Sequence, residues 1–148
     1  MNKRKLSWLK ARQEEADKGE SEKLVRPASN KPKVHSEELD VVGEFFYKES
    51  FAQLREQFDT DGGTEHVVEA ELRNDPDNPH SDSGMAVAVF IRGLQVGHIP
   101  ESLAPEVFEQ LEAKGGKLTL GARVWLDYKE SKPNKSSVTV YLDSRLNI

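Results

Sequence analysis

The fold of this chain is decided by the stretch Arg73–Ala104, which reads RNDPDNPHSDSGMAVAVFIRGLQVGHIPESLA. It opens with a polar loop that contains Pro76 and Pro79, and two apolar runs follow, separated by the turn Arg92-Gly93. Two short apolar runs joined by a two-residue turn that contains glycine are typical of a β-hairpin. The stretch therefore predicts a hairpin that is entered from a loop and left through the start of a helix.

Short strands dominate the rest of the predicted fold. The segment His66–Arg73 alternates apolar and charged residues, as a half-buried strand does. Further strands are predicted at 39–43, 85–91, 94–99, 118–128 and 138–142. Two helices are predicted, one capped by Ser50 and one starting near Ser102 and Pro105. About six strands and two short helices favour a mainly β fold, a small and partly open barrel of the OB or SH3 type.

Charge divides the chain into two parts. Residues 1–35 contain ten Lys and Arg against five Asp and Glu, whereas residues 36–148 contain eleven against twenty-one. We therefore expect a basic, mostly disordered arm over 1–37, a folded barrel domain over 38–144 and a short tail over 145–148. A helix anchored by Trp8 is the alternative for the arm, and it would offer a docking segment for a protein partner.

Composition excludes several classes of protein. The chain has no cysteine, so it has no disulfide framework and no Cys-based zinc site, and a cytoplasmic location fits. The apolar run Leu6–Leu9 is too short for the core of a signal peptide, and no later window approaches the length of a membrane span. We expect a monomer that does not associate with membranes.

No motif predicts catalysis or a cofactor. The segment Lys114–Lys117 is rich in glycine, but a helix precedes it and a strand follows it, the reverse of the order in a phosphate-binding loop. The segment Ser81–Gly84 lacks the first glycine of a nucleophile elbow. The acidic residues and His80 in the loop 75–82 could ligate a divalent ion, but short polar residues beside proline usually build turns. The sequence thus predicts a binding protein with no enzymatic activity, no cofactor and no metal site.

Aromatic side chains are the candidates for ligand binding. Phe45, Phe46 and Tyr47 are consecutive, and all three cannot face the core from one strand, so at least one ring is predicted to be exposed or to line a groove. Trp125 and Tyr141 are predicted on the outward faces of the last two strands. A stacking platform for bases and simple cross-strand packing are both consistent with that placement.

Three separated motifs, taken together, resemble the HIRAN domain family. They are Val41-Val42-Gly43 followed by aromatic residues, the loop Asp75–His80, and Gly93–His98 followed by Leu103-Ala104. The resemblance covers roughly residues 39–127, and its specificity lies in the order of the motifs. It implies an OB-type barrel that captures single-stranded DNA at a free 3′-hydroxyl end, as in the amino-terminal module of DNA-repair helicase-like remodellers. Family members also stand alone in bacteria and phages.

The resemblance also implies a set of site residues. Phe46 and Tyr47 match the paired aromatics that stack on terminal bases, and His98 matches a histidine that reaches a phosphate. In place of the family's Tyr-Asp pair the chain has His80-Ser81, so Asp82 is the substitute for the missing carboxylate. The implied nucleic-acid site consists of Phe45, Phe46, Tyr47, Asn78, His80, Asp82 and His98.

Departures from the family pattern leave two functions open. Phe45 replaces an arginine, Ser81 replaces the carboxylate residue that binds the 3′-hydroxyl, and Glu101 replaces a basic residue. The excess of acidic residues after the arm also weakens capture of a polyanion. The first hypothesis is a nucleic-acid-binding module for single-stranded 3′ ends. The second is a protein- or peptide-interaction module on the same barrel that does not bind DNA.

Overall fold

The structure is a computed structural model that describes residues 38–148. The predicted arm, 1–37, and the docking segment around Trp8 lie outside the described residues. Within 38–148, no helix has both the length and the apolar character that a membrane crossing requires.

Six antiparallel strands form one curled sheet, and two α-helices and one 3₁₀ helix accompany it. The strands are β1 (Glu38–Asp40), β2 (Thr64–Asp75), β3 (Ala86–Ile91), β4 (Leu94–His98), β5 (Lys117–Leu126) and β6 (Ser137–Tyr141). The helices are the 3₁₀ helix (Glu44–Tyr47), α1 (Lys48–Gln57) and α2 (Ala104–Glu112). The strand order is β1-β6-β5-β2-β3-β4. The predicted mainly β, partly open barrel with two short helices is confirmed.

The core lies inside the curl of the sheet, where alternate residues of the strands meet apolar residues from both helices. Phe51 and Leu54 of α1 and Val107 and Leu111 of α2 are buried. The strands supply the remaining large buried side chains, among them Leu72, Val87, Val89, Ile91, Val96, Leu120, Val124, Leu126, Val138 and Val140. Burial of apolar surface on this scale is the main favourable contribution to folding.

The two edge strands of the sheet meet at one end of the barrel. Val41, just past β1, donates its N–H to Val138 O of β6 over 3.0 Å, and Val42 then exchanges two backbone hydrogen bonds with His98 of β4, at 2.9 and 2.8 Å. Gly97 makes this approach sterically feasible, because a Cβ there would lie 2.5 Å from Val41 Cγ1 and 2.5 Å from Val42 O. The chain is thus closed at the end that carries His98.

The predicted cap of the first helix is wrong, whereas the second helix starts between Ser102 and Pro105, where it was predicted. α1 begins at Lys48, ahead of Ser50, because the aromatic residues form a 3₁₀ helix that runs directly into it. α2 begins at Ala104 with Leu103 at the N-cap position, so Ser102 does not cap it, although Pro105 lies in the first turn as predicted.

The first strand also differs from its prediction. It was expected over 39–43, but β1 covers only Glu38–Asp40, and beyond it Val41 and Val42 each pair with a different partner strand. The predicted turn at Gly43 is present, with φ 82°, a left-handed conformation that glycine adopts without steric cost.

The packed unit continues past the boundary predicted at residue 144. Leu146 is only 2% exposed and belongs to the core. Gln110 of α2 donates to Asn147 O over 2.6 Å and accepts the Asn147 N–H over 2.9 Å. The residues 145–148 therefore fold with the barrel, because Leu146 finds an apolar pocket and the backbone beside it finds hydrogen-bond partners.

Candidate ligand-binding site

An exposed aromatic pair, formed by Phe45 and Phe46, stands on the 3₁₀ helix. The 3₁₀ helix starts after the left-handed turn at Gly43, whose carbonyl accepts the Phe46 N–H over 3.0 Å. Phe45 is 54% exposed and Phe46 is 81% exposed. The rings pack edge to face with centroids 5.7 Å apart, and Lys48 Nζ lies 4.4 Å from the Phe45 ring centroid. A face of Phe46 is therefore free to stack on a ligand.

Tyr47, the last residue of the 3₁₀ helix, reaches β4. Its hydroxyl accepts a hydrogen bond from Gln95 Nε2 over 3.0 Å, and its ring centroid lies 5.9 Å from that of His98. Desolvation raises the pKa of the Tyr47 hydroxyl, and the negative charge of Asp75 raises it further. The hydroxyl therefore keeps its proton, which remains available for a ligand acceptor because Gln95 occupies only a lone pair.

His98 is the centre of the polar group that we call the His98 cluster, composed of Tyr47, Asp75, Asn78, Gln95 and His98. Its Nε2 lies 3.1 Å from Asn78 Nδ2 and 3.2 Å from Gln95 Nε2. Asp75 Oδ2 lies 3.8 Å from the same nitrogen, which is beyond hydrogen-bond range. The cluster therefore connects the end of β2, the following loop, β4 and the 3₁₀ helix.

The hydrogen bonds of Asn78 assign the tautomer of His98. Asn78 Oδ1 accepts the backbone N–H of His80 over 2.8 Å, so the amide nitrogen of Asn78 is the atom that faces His98. An amide nitrogen only donates, and His98 Nε2 is therefore the acceptor of a neutral ring that carries its proton on Nδ1. In this tautomer Nε2 offers no proton to a phosphate oxygen.

A bulge in β4 brings two members of the cluster to one side of the sheet. Val89 of β3 pairs with Gly97, but Phe90 pairs with Gln95, so Val96 is an extra residue in β4. Residues three apart in a regular strand point to opposite faces. Because of the bulge, Gln95 and His98 instead share one side and their side chains meet.

The structure places the predicted site residues unequally. Tyr47, Asn78 and His98 come together in the His98 cluster, and Phe45 and Phe46 form the neighbouring aromatic pair. His80 and Asp82 are exposed, and within 38–148 neither side chain has a hydrogen bond or an ion pair.

Two residues of the cluster were missed from the sequence as site members. Gln95 gave one signal, since it is polar within the apolar run Leu94–Ile99, but only the bulge reveals its direction. Asp75 was considered only as a loop or metal-binding residue. Within the described part of the chain, no group of three or more acidic or histidine side chains is arranged to hold a metal ion.

Of the two outward aromatic residues on the last strands, Tyr141 is covered. The guanidinium of Arg123 lies 5.8 Å from its ring centroid and is held there by a two-pronged interaction with Glu38, at 2.9 and 3.2 Å. This arrangement fits cross-strand packing better than a free stacking platform.

Glu44, next to the aromatic pair, supports the barrel closure. Its carboxylate accepts the Val138 N–H over 3.1 Å. Burial raises the pKa of the Glu44 carboxyl, and the hydrogen bonds that it accepts offset only part of that effect. Because the pKa is higher in the folded state, the contribution of Glu44 to stability is full below the unfolded pKa and is lost as pH rises through the folded pKa.

Glu44→Gln should therefore be at least as stable as the natural chain at neutral pH, since glutamine keeps the acceptor for Val138 without the buried charge. We expect a small gain in the free energy of unfolding at pH 7 that vanishes below about pH 4, where the glutamate is also neutral. Urea titrations of both proteins across this pH range measure the difference. A loss of stability confined to pH 7 would show that the negative charge itself has a favourable partner.

Comparisons of the chain with protein-family models, with curated proteins and with solved structures found no match.

Proposed function

We propose that this chain is a HIRAN-like, non-enzymatic module that binds the end of a single-stranded nucleic acid between the aromatic pair and the His98 cluster. The observation that carries the proposal is the 81% exposure of Phe46 beside a set of fixed polar groups. An aromatic face next to preoriented donors and acceptors suits a nucleobase, which needs stacking for its ring and hydrogen bonds for its edge.

Stacking supplies the sequence-independent part of the proposed binding. Phe46 projects from a 3₁₀ helix that is anchored on one side at Gly43 and on the other by α1, which buries Phe51 and Leu54 in the core. The edge-to-face contact with Phe45 restrains the ring without covering both of its faces. A base that stacks on such a ring contributes about 1–3 kcal/mol to binding.

Polar groups of the His98 cluster supply the recognition of an end. The Tyr47 hydroxyl accepts from Gln95 and keeps its own proton for a ligand acceptor, while the carboxylate of Asp75 is partly exposed and can accept from a ligand donor. A free 3′-hydroxyl both donates and accepts, so it can satisfy the two groups together. We therefore assign to Asp75 the hydroxyl-binding role that the resemblance implied for Asp82, whose side chain is exposed and has no partner within 38–148.

Electrostatics limits the strength of this interaction. Within 38–148, Lys48 is the cation that contacts the aromatic pair, whereas Asp75 adds negative charge at the His98 cluster. His98 Nε2 accepts hydrogen bonds and does not offer a proton to phosphate. We therefore expect weak binding with a shallow salt dependence, because few phosphates are neutralised.

Phe46→Ala should weaken binding of a short single strand roughly 5- to 150-fold, which corresponds to the loss of about 1–3 kcal/mol of stacking. Fluorescence anisotropy at low salt, with a 5′-labelled oligonucleotide that ends in a 3′-hydroxyl, measures the change. Val67→Ala is the matched control, because Val67 is 80% exposed on the distant half of β2 and its truncation should leave the affinity unchanged.

The chemistry of the strand end provides the second arm of the same experiment. A 3′-phosphate would bring two charges toward Asp75, so strands with a 3′-hydroxyl should bind more tightly than those with a 3′-phosphate. The proposal is wrong if the folded natural protein binds neither strand, or if Phe46→Ala and Val67→Ala bind equally well.

A protein- or peptide-interaction module is the second candidate, and the charge at the His98 cluster favours it. Asp75 lies 3.8 Å from His98 Nε2 and contributes to the raised pKa of the Tyr47 hydroxyl, which indicates a negative local potential. A peptide with a basic residue next to an aromatic one would fit that potential better than a phosphate does. Under this alternative, such a peptide shifts the NMR signals of Phe46 and Tyr47, and no oligonucleotide binds.

A further inference from the structure

Among the strands that the structure describes, none lies beside one half of β2 on one of its two sides. β2 pairs with β5 over Thr64–Arg73, but it pairs with β3 only over Ala70–Asp75. The hairpin turn at Arg92-Gly93 ends the β3 side of the sheet at that point. Within 38–148, no strand continues the sheet beside Thr64–Glu69. We call this side of β2, from Glu65 to Glu69, the open edge.

The alternation of backbone hydrogen bonds along β2 identifies the groups that face the open edge. Asn74 donates its N–H to Gly116 O, on the β5 side of β2, over 2.9 Å. Backbone groups of alternate residues in a strand point to the same side, so the even-numbered residues of β2 bond to β5. The N–H and C=O groups of Glu65, Val67 and Glu69 therefore point away from β5, into the open edge.

The ladder on the opposite half of the strand agrees with this assignment. Val87 O of β3 accepts the Ile99 N–H on the β4 side, so Ala88 and Phe90 direct their backbone groups at β2, where Arg73 and Glu71 lie opposite. Glu69 and Val67 continue the same alternate series as Arg73 and Glu71, so their backbone groups point to the same side of β2. In the described part of the chain, no hydrogen bond reaches the backbone groups of Glu65, Val67 or Glu69 from the open side.

The side chains beside these groups form a recognisable pattern. Val67 is 80% exposed, and Glu65 and Glu69 flank it on the same face. Glu65 lies 3.4 Å from Arg123, while Glu69 has no ion pair within 38–148. A groove of about 380 Å³ runs along the edge, and Phe90 and Arg92 are among its lining residues. The Arg92 guanidinium donates to Gln57 Oε1 and lies over the Phe58 ring. An apolar residue between two acidic ones thus accompanies backbone groups that have no partner within 38–148.

We propose that the open edge binds an extended peptide segment of a partner protein by β-strand addition, with an apolar residue opposite Val67 and a basic residue opposite Glu69. Backbone hydrogen bonds would supply affinity, and the side-chain pattern would supply specificity. Val67 and Asp75 are separated along β2 by roughly 25 Å, at about 3.3 Å per residue. The inference therefore does not depend on the function proposed for the His98 cluster.

A second copy of this chain fits the open edge poorly. Antiparallel self-pairing centred on Val67 would place Glu65 of each copy opposite Glu69 of the other. Like charges directly opposite each other destabilise a strand pair, and charged residues on edges commonly prevent self-association. The same acidic residues attract a basic strand, so the edge selects between partners by charge.

Hydrogen exchange in the full chain tests the premise. The Val67 amide should exchange at least tenfold faster than the Val68 amide, which faces β5. The probe is a heptapeptide with blocked ends and the sequence Thr-Lys-Thr-Val-Thr-Lys-Thr. On binding, it should slow exchange at Val67 and shift the NMR signals of Glu65–Glu69, while the signals of Tyr47 and Asn78 stay unchanged.

One change to the peptide and two substitutions in the protein test whether the peptide binds by strand addition. Methylating the backbone nitrogens of the lysines and valine in the peptide should abolish binding, because those groups would pair with the edge. Glu69→Lys should weaken the lysine peptide roughly two- to five-fold and strengthen its glutamate counterpart by a similar factor. Val67→Pro should remove binding without unfolding the protein, because the lost N–H is not part of the β2–β5 ladder.

Several results would overturn the inference. Equal protection of the Val67 and Val68 amides in the free protein would mean that the edge is already paired. Undiminished binding of the methylated peptide, or an unchanged preference in Glu69→Lys, would mean that strand addition does not occur. Sedimentation that shows self-association, with protection of Val67 rising with protein concentration, would assign the edge to a second copy.

Discussion

Gly97→Ala should lower the free energy of unfolding by about 3 kcal/mol, the upper end of the usual cost of overpacking a core. The new Cβ would lie 2.5 Å from Val41 Cγ1 and 2.5 Å from Val42 O. The valine side chain can rotate, but the carbonyl of Val42 accepts the His98 N–H over 2.8 Å. Relief of the clash therefore requires the barrel closure to open, and urea titration at constant pH measures the cost.

Gly121→Ala is the matched control for this substitution. Gly121 also lies in a strand, and it also lacks the positive φ that would strain an alanine. A Cβ there would meet Tyr141 Cδ2 at 3.5 Å, an ordinary van der Waals contact. We expect the free energy of unfolding of Gly121→Ala to equal or slightly exceed that of the natural chain, since alanine restricts the unfolded chain. Equal effects of the two substitutions would show that close approach at Gly97 is not required.

Loss of the closure should also reach the His98 cluster, because His98 directly follows Gly97. In Gly97→Ala, the imidazole would no longer be held where Asn78 and Gln95 donate to it at 3.1 and 3.2 Å. The barrel closure and the candidate site therefore share one structural determinant. Gly97 has no side chain that could contact the site. It contributes because it lets the backbone at Val42 come close to β4.

Regular strand patterns could be predicted from the sequence, because the physical signal is local. The alternation in β2 and β5 and the turn at Arg92-Gly93 each lie within one short window, and all three are present in the structure. The position of Gln95 in the site could not be predicted in this way. It depends on the bulge at Val96, which forms only when β3 and β4 pair, and a bulge reverses the face of every residue on one side of it.

The aromatic residues illustrate a different limit of sequence-based prediction. The exposure of at least one ring was predicted, and Phe45 and Phe46 are both exposed. The 3₁₀ helix that carries them was not predicted, because consecutive aromatic residues favour a strand by propensity. Tertiary contacts outweigh that preference: Tyr47 reaches Gln95, and the next turn buries Phe51. The predicted cap at Ser50 was wrong because the 3₁₀ helix runs directly into α1, which begins at Lys48.

The carboxylate of the candidate site shows why contacts distant in sequence were missed. A loop with four acidic or histidine residues suggests a local cluster, and Asp82 was the nearest substitute for the carboxylate of the resembling family. Asp75 instead lies at the end of β2, and the antiparallel sheet brings it to His98 on the far side of a hairpin. No local spacing contains that information, because it is set by strand order and register.

Leu54→Ala should have the largest effect on stability, a loss of about 2–5 kcal/mol in the free energy of unfolding. Leu54, on α1, is fully buried and packs in the core inside the curled sheet. Its truncation removes apolar contacts and leaves a cavity that surrounding strands cannot collapse to fill. Chemical denaturation monitored by circular dichroism measures the loss.

The effect of Leu54→Ala on the candidate site shows whether packing of α1 in the core sets the positions of Phe46 and Tyr47. α1 continues from the 3₁₀ helix without a break, so a loosened α1 should release Tyr47 from Gln95 and broaden the NMR signals of Phe46. Gln53→Ala, an exposed position one residue earlier on the same helix, should change stability by no more than about 0.5 kcal/mol and leave those signals intact. If Leu54→Ala loses stability while the signals of Phe46 and Tyr47 stay unchanged, the aromatic pair is positioned by the left-handed turn at Gly43 alone, and the core of the barrel does not set the geometry of the site.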